Sequence, residues 1–419
     1  MRLILISLDA ASALDADSLL SLPNISKMAA NGAFCTNVST VYPTLTYPIH
    51  ASIISGCYPD RHGIAHNEIF DEKPPLYRNW YWNWNSIEVP TLFTAAAQAG
   101  REVATLLWPT TGKAKFIKFN MPEILALPWE NQVLKVLKYG SKLNLIRSEL
   151  KYGNMRKGFD QPHLDSYITF LAEKLVERQY SKEIEKQSEV SFSSRERKKH
   201  MPDIMAVHLT ELDSMRHRFG MGSDEEKQAL RHLDQNVGRI LAALSKQGCM
   251  EDSVICVLSD HGQESINDSI NLNAVLEKHS VPARAQSLGL GAYFHMERAN
   301  RTLVYNHLVQ HMDEYKISHV YSYKELKNMR APKDVQVACE MQPGVEALDC
   351  DEAKRHKATH GFGLKSPGAK TLLFMMGPNI KRGHRISEAN IVDIAPTLAK
   401  AAGLSLPETD GKVLKEVFV

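Results

Sequence analysis

The chain has few cysteines, almost no net charge and no long apolar run. Its 419 residues carry six cysteines. No two of them form a CxxC pair. That set is too thin for a disulfide framework in so large a chain, so reduced thiols in a cytosolic protein are expected. A formal net charge of +2 gives no global pull toward nucleic acid or a membrane. No internal repeat or low-complexity segment is present. The opening MRLILISLDA holds an apolar stretch of about six residues. This is too short for a signal-peptide core or a bilayer span. It reads as a buried strand, and the protein is expected to be cytoplasmic.

What is present is ordinary for a globular enzyme: 43% apolar and 23% charged residues. Length alone suggests two or three domains, but α/β enzymes often run long as one unit. Short apolar runs end in acidic or polar residues. Leu3–Leu8 ends at Asp9, Asp203–Leu209 leads toward Asp213, and Ser253–Leu258 leads to Asp260. A fourth run, Thr371–Met376, stops at Gly377-Pro378. These read as parallel strands buried on both faces. Ser223-Asp-Glu-Glu226 is a capping-box signature for a helix ending near Gly248. Ala389–Ala402 reads as another helix, stopped by Gly403.

The alternation predicts a doubly wound, mostly parallel α/β sheet flanked by helices, forming one catalytic domain over residues 1–419. Ligands bind such sheets beyond the carboxyl ends of the strands, where Asp9 and Asp260 stand. Residues 114–200 and 271–357 interrupt the pattern and are expected to be cap insertions, the second with a strand at Gly291–His295. The first is basic, with Lys135, Lys138, Lys142, Arg147, Lys151, Arg156 and Lys157 close together. Such a face either attracts an anionic substrate or is simply solvated. Arg195–His200 reads as a solvated loop.

Metal-ligating residue types fall into small groups. Asp9 closes the first strand. Asp213 and His217, spaced i and i+4, share one face of a helical turn. Asp260-His261 follows a strong strand, and His360 lies in the glycine-rich THGFG. Three carboxylates and three imidazoles suit zinc, with manganese or iron as alternatives. Taken singly, each is weak: a strand-end Asp is commonly a cap, and a loop His commonly just hydrogen-bonded.

Together, the segments LISLDA, YPTLTYPIH, SGCYPDRHGI, HN, DSMRH, LSDHG and THGFG resemble the nucleotide pyrophosphatase/phosphodiesterase family of the alkaline phosphatase superfamily. They stand in the family's order and span nearly the whole chain. The closing NIVDIAPTLAKAAGLSLPETDGK matches as well. The resemblance implies an alkaline phosphatase-like fold and two zinc ions. Asp213, His217 and His360 would hold one; Asp9, Asp260 and His261, completed by Thr46, would hold the other. It also implies Thr46 as nucleophile, rather than Thr44, Ser52, Ser55 or Cys57. Asn67 would bind a phosphoryl oxygen. Pro48 suits the first turn of a helix running toward Gly56, whose start favours an anion. Thr46 read without the metal ligands is merely an N-cap. Cys57-Tyr-Pro-Asp-Arg61 is a false sulfatase lead, because Asp60 stands where such motifs have Ser or Ala.

The implied substrate is a small phosphodiester or nucleotide, with no stable nucleic-acid or membrane partner. A phosphonoacetate-type phosphonate hydrolase and a non-catalytic metal-binding relative are the alternatives. Four positions depart from the family pattern: Ile49 replaces Asn, Arg216 replaces Gly, Leu212 replaces Pro and Gln263 replaces Met. Arg216, one residue before His217, is expected to point outward. The aromatic run Leu76–Asn85 is either a stacking surface for a flat leaving group or a packing patch.

Overall fold

Every residue of β1 from Leu3 to Leu8 is buried, as a strand covered on both faces requires. Its side chains alternate between two cores: Ile4, Ile6 and Leu8 enter one, Leu3 and Leu5 the other. The computed structural model describes residues 1–179 and 201–419. Arg195–His200 lies outside the described residues.

Among the described residues the central sheet has nine strands: β1 (Arg2–Leu8), β2 (Ala33–Ser39), β3 (Val103–Leu106), β4 (Phe119–Met121), β5 (Ile204–Leu209), β6 (Ser253–Leu258), β7 (Lys370–Met376), β8 (His384–Arg385) and the short Ala389–Asn390, which pairs with β2 off the main path. Their order is β8-β2-β7-β6-β1-β5-β3-β4. β6, β1, β5, β3 and β4 are parallel neighbours, so their carboxyl ends share one edge. β7 corrects an expectation: it runs antiparallel to both β6 and β2.

Four helices matter for the site: α1 (Thr46–Ser55), α2 (His163–Val176), α3 (Glu211–Phe219) and α4 (Asp224–Lys246). α1 packs into the core on one face of the sheet through Ile49, Ile53 and Ile54. α2 and α4 fill the other through residues such as Leu171 and Leu233. Helices therefore cover both faces, as a doubly wound fold requires. α4 starts at Ser223 as expected, but only half of the capping box forms. Ser223 accepts the Glu226 N–H, while the Glu226 carboxylate turns to the Gly222 N–H and to Arg216. The C-terminal helix is shorter than expected. Ala389–Asn390 instead pairs with β2, and the α-helix spans only Ile394–Ala402 before Gly403.

Two further regions stand outside the sheet's helical layers. Ile317–Tyr321, Ala338–Met341, Gly291–His295 and Arg284–Ser287 form a four-stranded antiparallel sheet with its own core. Gln132–Tyr139 and Lys142–Tyr152 form two short helices after β4. No described helix is long and apolar enough to cross a membrane.

Candidate active site

The parallel strands deliver the acidic residues to one edge. Asp9 follows β1, and its N–H donates to Leu209 O at 2.9 Å, locking it beside the end of β5. Asp213 lies in the first turn of α3, directly after β5. Asp260 and His261 follow β6 and are fully buried. His360 arrives on the loop after Ala358–Thr359, itself paired with Glu264–Ser265. Gly361 makes that loop possible: its φ is +88°, and an added Cβ would lie 1.7 Å from Leu288 O.

The expected ligands fall into the two expected groups. Ligand atoms of Asp213, His217 and His360 all lie within 4.8 Å of one another, as do those of Asp9, Asp260 and His261. The His261 and His360 rings stack at 4.0 Å, which joins the groups. A third set, His50, His208 and Asp260, is equally close and wholly buried. Both His50 nitrogens are engaged, Nδ1 donating to Thr46 O at 2.8 Å and Nε2 meeting the Ser7 hydroxyl at 2.9 Å.

The donor set fits cations. The Nδ1–H of His217 donates to Ala358 O at 2.8 Å, that of His360 to Thr44 O at 3.2 Å and that of His261 to Gly262 O at 3.2 Å. Each ring is thereby fixed in the tautomer that leaves Nε2 as a lone-pair donor. Asp260 Oδ1 accepts the Ala10 and His261 N–H groups. Asp260 Oδ2 and Asp9 Oδ1 are buried with no hydrogen-bond partner. Buried carboxylate oxygens without partners are costly unless a cation meets them. Burial, then Asp260 and Asp213, pushes the Asp9 carboxyl well above its usual range, the signature of crowded negative charge.

Thr46 is the first residue of α1; the N-cap is Leu45, so Thr46 is not a cap. Its hydroxyl lies 3.2 Å from His261 Nε2. The other hydroxyls and the thiol are engaged elsewhere. Thr44 donates to Phe362 O at 2.8 Å, and Ser55 to Ala51 O at 2.7 Å. Ser52 meets His62 Nε2 at 3.0 Å, but His62 Nδ1 accepts the Ile64 N–H. The His62 proton is therefore on Nε2, and burial lowers its pKa to about 3, so it is no base toward Ser52. Cys57 lies past the far end of α1, whose span from Thr46 to Ser55 is alone roughly 14 Å along the helix axis. Burial pushes its thiol up.

Asn67 reaches the same helix end, its Oδ1 accepting the Tyr47 N–H at 2.9 Å. Gln263, one of the departures, donates to the Asp213 carboxylate and to Asp213 O. Arg216 does not point outward. It is fully buried, bound to Asp15, Glu226 and Ala10 O. Facing away from the metal side here means facing the core, because two acidic partners wait there. The tryptophans of the aromatic run pack, Trp80 meeting Tyr47 at 5.4 Å, Trp82 meeting Tyr139 at 4.5 Å and Trp84 meeting Phe116 at 5.0 Å, whereas Tyr77 stacks on exposed Trp129 at 5.9 Å.

The sequence reading missed His208 and Glu123. His208 Nε2 lies 3.1 Å from Asp9 Oδ2, and Nδ1 lies 3.3 Å from Glu123 Oε2. Burial opposes charge on His208, but Asp9 and Glu123 hold its pKa well above the ordinary histidine value. The signal was a lone histidine inside the apolar strand IMAVHL.

A family model described as type I phosphodiesterase / nucleotide pyrophosphatase matches residues 3–363. The chain belongs to this family. Phosphodiesterase-family relatives include the human bis(5'-adenosyl)-triphosphatase ENPP4, 23% identical over 98% of this chain and 80% of that protein. Human ectonucleotide pyrophosphatase/phosphodiesterase family member 1 is 26% identical over 61% of this chain, but over only 23% of its own length. Murine ectonucleotide pyrophosphatase/phosphodiesterase 5 shares the fold, with a TM-score of 0.70, 15% identity and full coverage of both chains. A second structure of that protein, an inactive form in complex with AMP, gives a TM-score of 0.71 at 15% identity, again over both full chains. The chain is thus a nucleotide pyrophosphatase/phosphodiesterase-family hydrolase with an alkaline phosphatase-like fold, and the family is metal-dependent.

Proposed function

We propose that the protein hydrolyses phosphodiester or pyrophosphate bonds in nucleotide-like or other small substrates, with Thr46 as nucleophile and two zinc ions as cofactors. The observation that carries this reading is the placement of the Thr46 hydroxyl. It stands at the start of a buried helix, 3.2 Å from His261, within a set of oriented imidazoles and unpartnered carboxylates. Asp213, His217 and His360 would hold one ion, and Asp9, Asp260 and His261 the other. Bound there, the ions would lower the pKa of a hydroxyl or water and neutralise phosphoryl oxygens.

The chain's own residues do the rest. Thr46 Oγ1 releases its proton to solvent and attacks phosphorus, and the ester oxygen opposite departs with the electron pair of the broken P–O bond and takes a proton back from solvent. The phosphoryl group stays on Thr46 as an ester with the remaining arm. Water then attacks the same phosphorus, the bond to Thr46 breaks, and the hydroxyl returns. Asn67 Nδ2 donates to a non-bridging oxygen throughout. Gln263 holds the Asp213 carboxylate, and His208 holds Asp9. The Asp213 and His217 side chains are partly exposed, 18% and 17%, whereas the Asp9 group is buried, so water enters beside Asp213.

The name of the relative that cleaves a bis-adenosyl triphosphate and the AMP-bound neighbour support a nucleotide-like substrate. The test is a panel of nitrophenyl nucleotide esters, dinucleoside polyphosphates and phosphonoacetate on zinc-loaded protein. Turnover of the diesters supports the reading, and turnover of phosphonoacetate alone refutes it.

A further inference from the structure

Three imidazoles meet on the helices of the four-stranded sheet, outside both catalytic groups. α5 (Leu272–Lys278) ends at His279. α6 (Arg301–Gln310) carries His307 in its last turn and ends at His311. Both helices are anchored in that sheet's core, α5 through Leu272 and Leu276 and α6 through Val304 and Leu308. His307 and His311, spaced i and i+4, lie on one side of the helical turn, and their rings stack at 4.2 Å. The His279 ring stands 5.2 Å from that of His307 and 5.3 Å from that of His311. All three side chains are partly exposed, so they stand at the rim of the core rather than within it.

Each ring has one nitrogen engaged and one left over. His279 Nε2 lies 3.0 Å from Glu314 Oε1, and His307 Nε2 lies 3.0 Å from the Tyr315 hydroxyl. His311 Nδ1 donates to His307 O at 2.8 Å. With the N–H of each ring spent on these partners, lone pairs remain on Nδ1 of His279, Nδ1 of His307 and Nε2 of His311. Among the described residues none of those three atoms has a hydrogen-bond partner. Histidine ligands are prepared in this way, one nitrogen fixed by an outer hydrogen bond and the other offered to a metal. Glu314 also pairs with Lys278 at 2.6 Å, so it orients His279 and is not counted as a ligand.

Spacing and charge both suit a cation. Around a tetrahedral ion with nitrogens at about 2.0–2.1 Å, imidazole centroids stand about 5 Å apart. Two of the three separations already match. The stacked pair opens by a turn about the histidine χ2 torsion, which is soft. Two helices end at the trio, and the negative ends of their dipoles favour positive charge there. Burial, then His311 and His279, holds His307 below the ordinary histidine value, which keeps its lone pair available.

We propose that His279, His307 and His311 bind one zinc-like divalent cation, separate from the catalytic ions, which ties α5 to α6 at the rim of the four-stranded sheet. Three imidazoles with a water in the fourth position suit zinc, nickel or copper rather than magnesium or calcium.

The test is calorimetric titration of zinc into the metal-loaded full chain, freed of loosely held ions by dialysis, beside His307→Gln/His311→Gln. The parent should take up one further equivalent, and its melting temperature should rise by several degrees as zinc is added. The double variant should take up none, melt at the same temperature with and without added zinc, and keep the parental rate on diesters. His279→Gln, on the other helix, should behave alike. Glu314→Ala keeps all three ligands and should weaken zinc about ten- to a hundredfold. A further equivalent retained in the double variant, parental affinity in Glu314→Ala, or no uptake by the parent at submillimolar zinc would each overturn the proposal. One equivalent bound by the parent and lost in the double variant, in a preparation that hydrolyses no diester, would sustain this site and count against the catalytic reading alone.

Discussion

The side-chain oxygen of Asn67 accepts the Tyr47 backbone N–H at 2.9 Å, so the half of the amide left for a substrate is its nitrogen. One residue thus satisfies a first-turn N–H of α1 and, in the proposed mechanism, offers a neutral donor to the phosphoryl group. The two tasks separate by mutation. Asn67→Ala should lose about 10²–10³-fold in kcat and about 1 kcal/mol of stability through the lost cap. Asn67→Asp keeps the acceptor and should restore the melting temperature but not the rate. An active Asp variant would show that the donor is not used.

Arg216 gives a second prediction. Its guanidinium is fully buried, with ion-pair contacts of 2.5 Å to Asp15 and 2.6 Å to Glu226. Arg216→Gly strands two buried carboxylates and should cost about 3–5 kcal/mol. It should leave the ratio of diester to monoester activity unchanged. Denaturant unfolding checks the first statement and paired kinetics the second. A changed ratio would mean that the arginine reaches the substrate.

Glu68 makes stability depend on pH. Burial raises its pKa to about 7 against the opposing pull of Arg78, from an ordinary value of 4.5. Between those values the folded state holds a proton that the unfolded state has released. The stabilisation is therefore full below about pH 4.5 and is lost as pH rises through 7. The total is about 3 kcal/mol at most, at about 1.4 kcal/mol per unit. Relative to Glu68→Gln, the parent should lose stability between pH 5 and pH 8. Parallel curves for the two proteins would contradict this.

Much of the site was legible because its chemistry follows strand ends. An apolar run closed by Asp9, or by Asp260-His261, declares both a buried strand and a polar group at its carboxyl edge. Strand direction was not legible: Thr371–Met376 is equally apolar whether it runs parallel or antiparallel, and only the pairing with β6 and β2 decides. Arg216 was misjudged because a helix face is buried or exposed according to distant partners, here Asp15 and Glu226. His208 was invisible for the opposite reason, since one polar residue barely disturbs an apolar strand pattern. The segment after β4 was read by its lysines, and the structure adds that Leu134, Leu143 and Leu150 stand outside alongside them.

The neutral donor at Asn67 also predicts substrate charge. A monoester brings an additional negative charge that a single amide does not neutralise, and Arg216 has its donors committed elsewhere. kcat/KM for a nitrophenyl diester should exceed that for nitrophenyl phosphate on one preparation. A ratio favouring the monoester would point to an unrecognised cationic group at the site.

The central claim is that Thr46, held among metal-binding groups, is the nucleophile. Its most direct test is Thr46→Ala, purified alongside the parent and assayed for both zinc content and diester turnover. On the proposed reading six other ligands would hold the ions, so about two zinc ions per chain should remain while turnover falls to background. A Thr46→Ala protein that keeps its zinc and still hydrolyses diesters at near the parental rate would contradict the account.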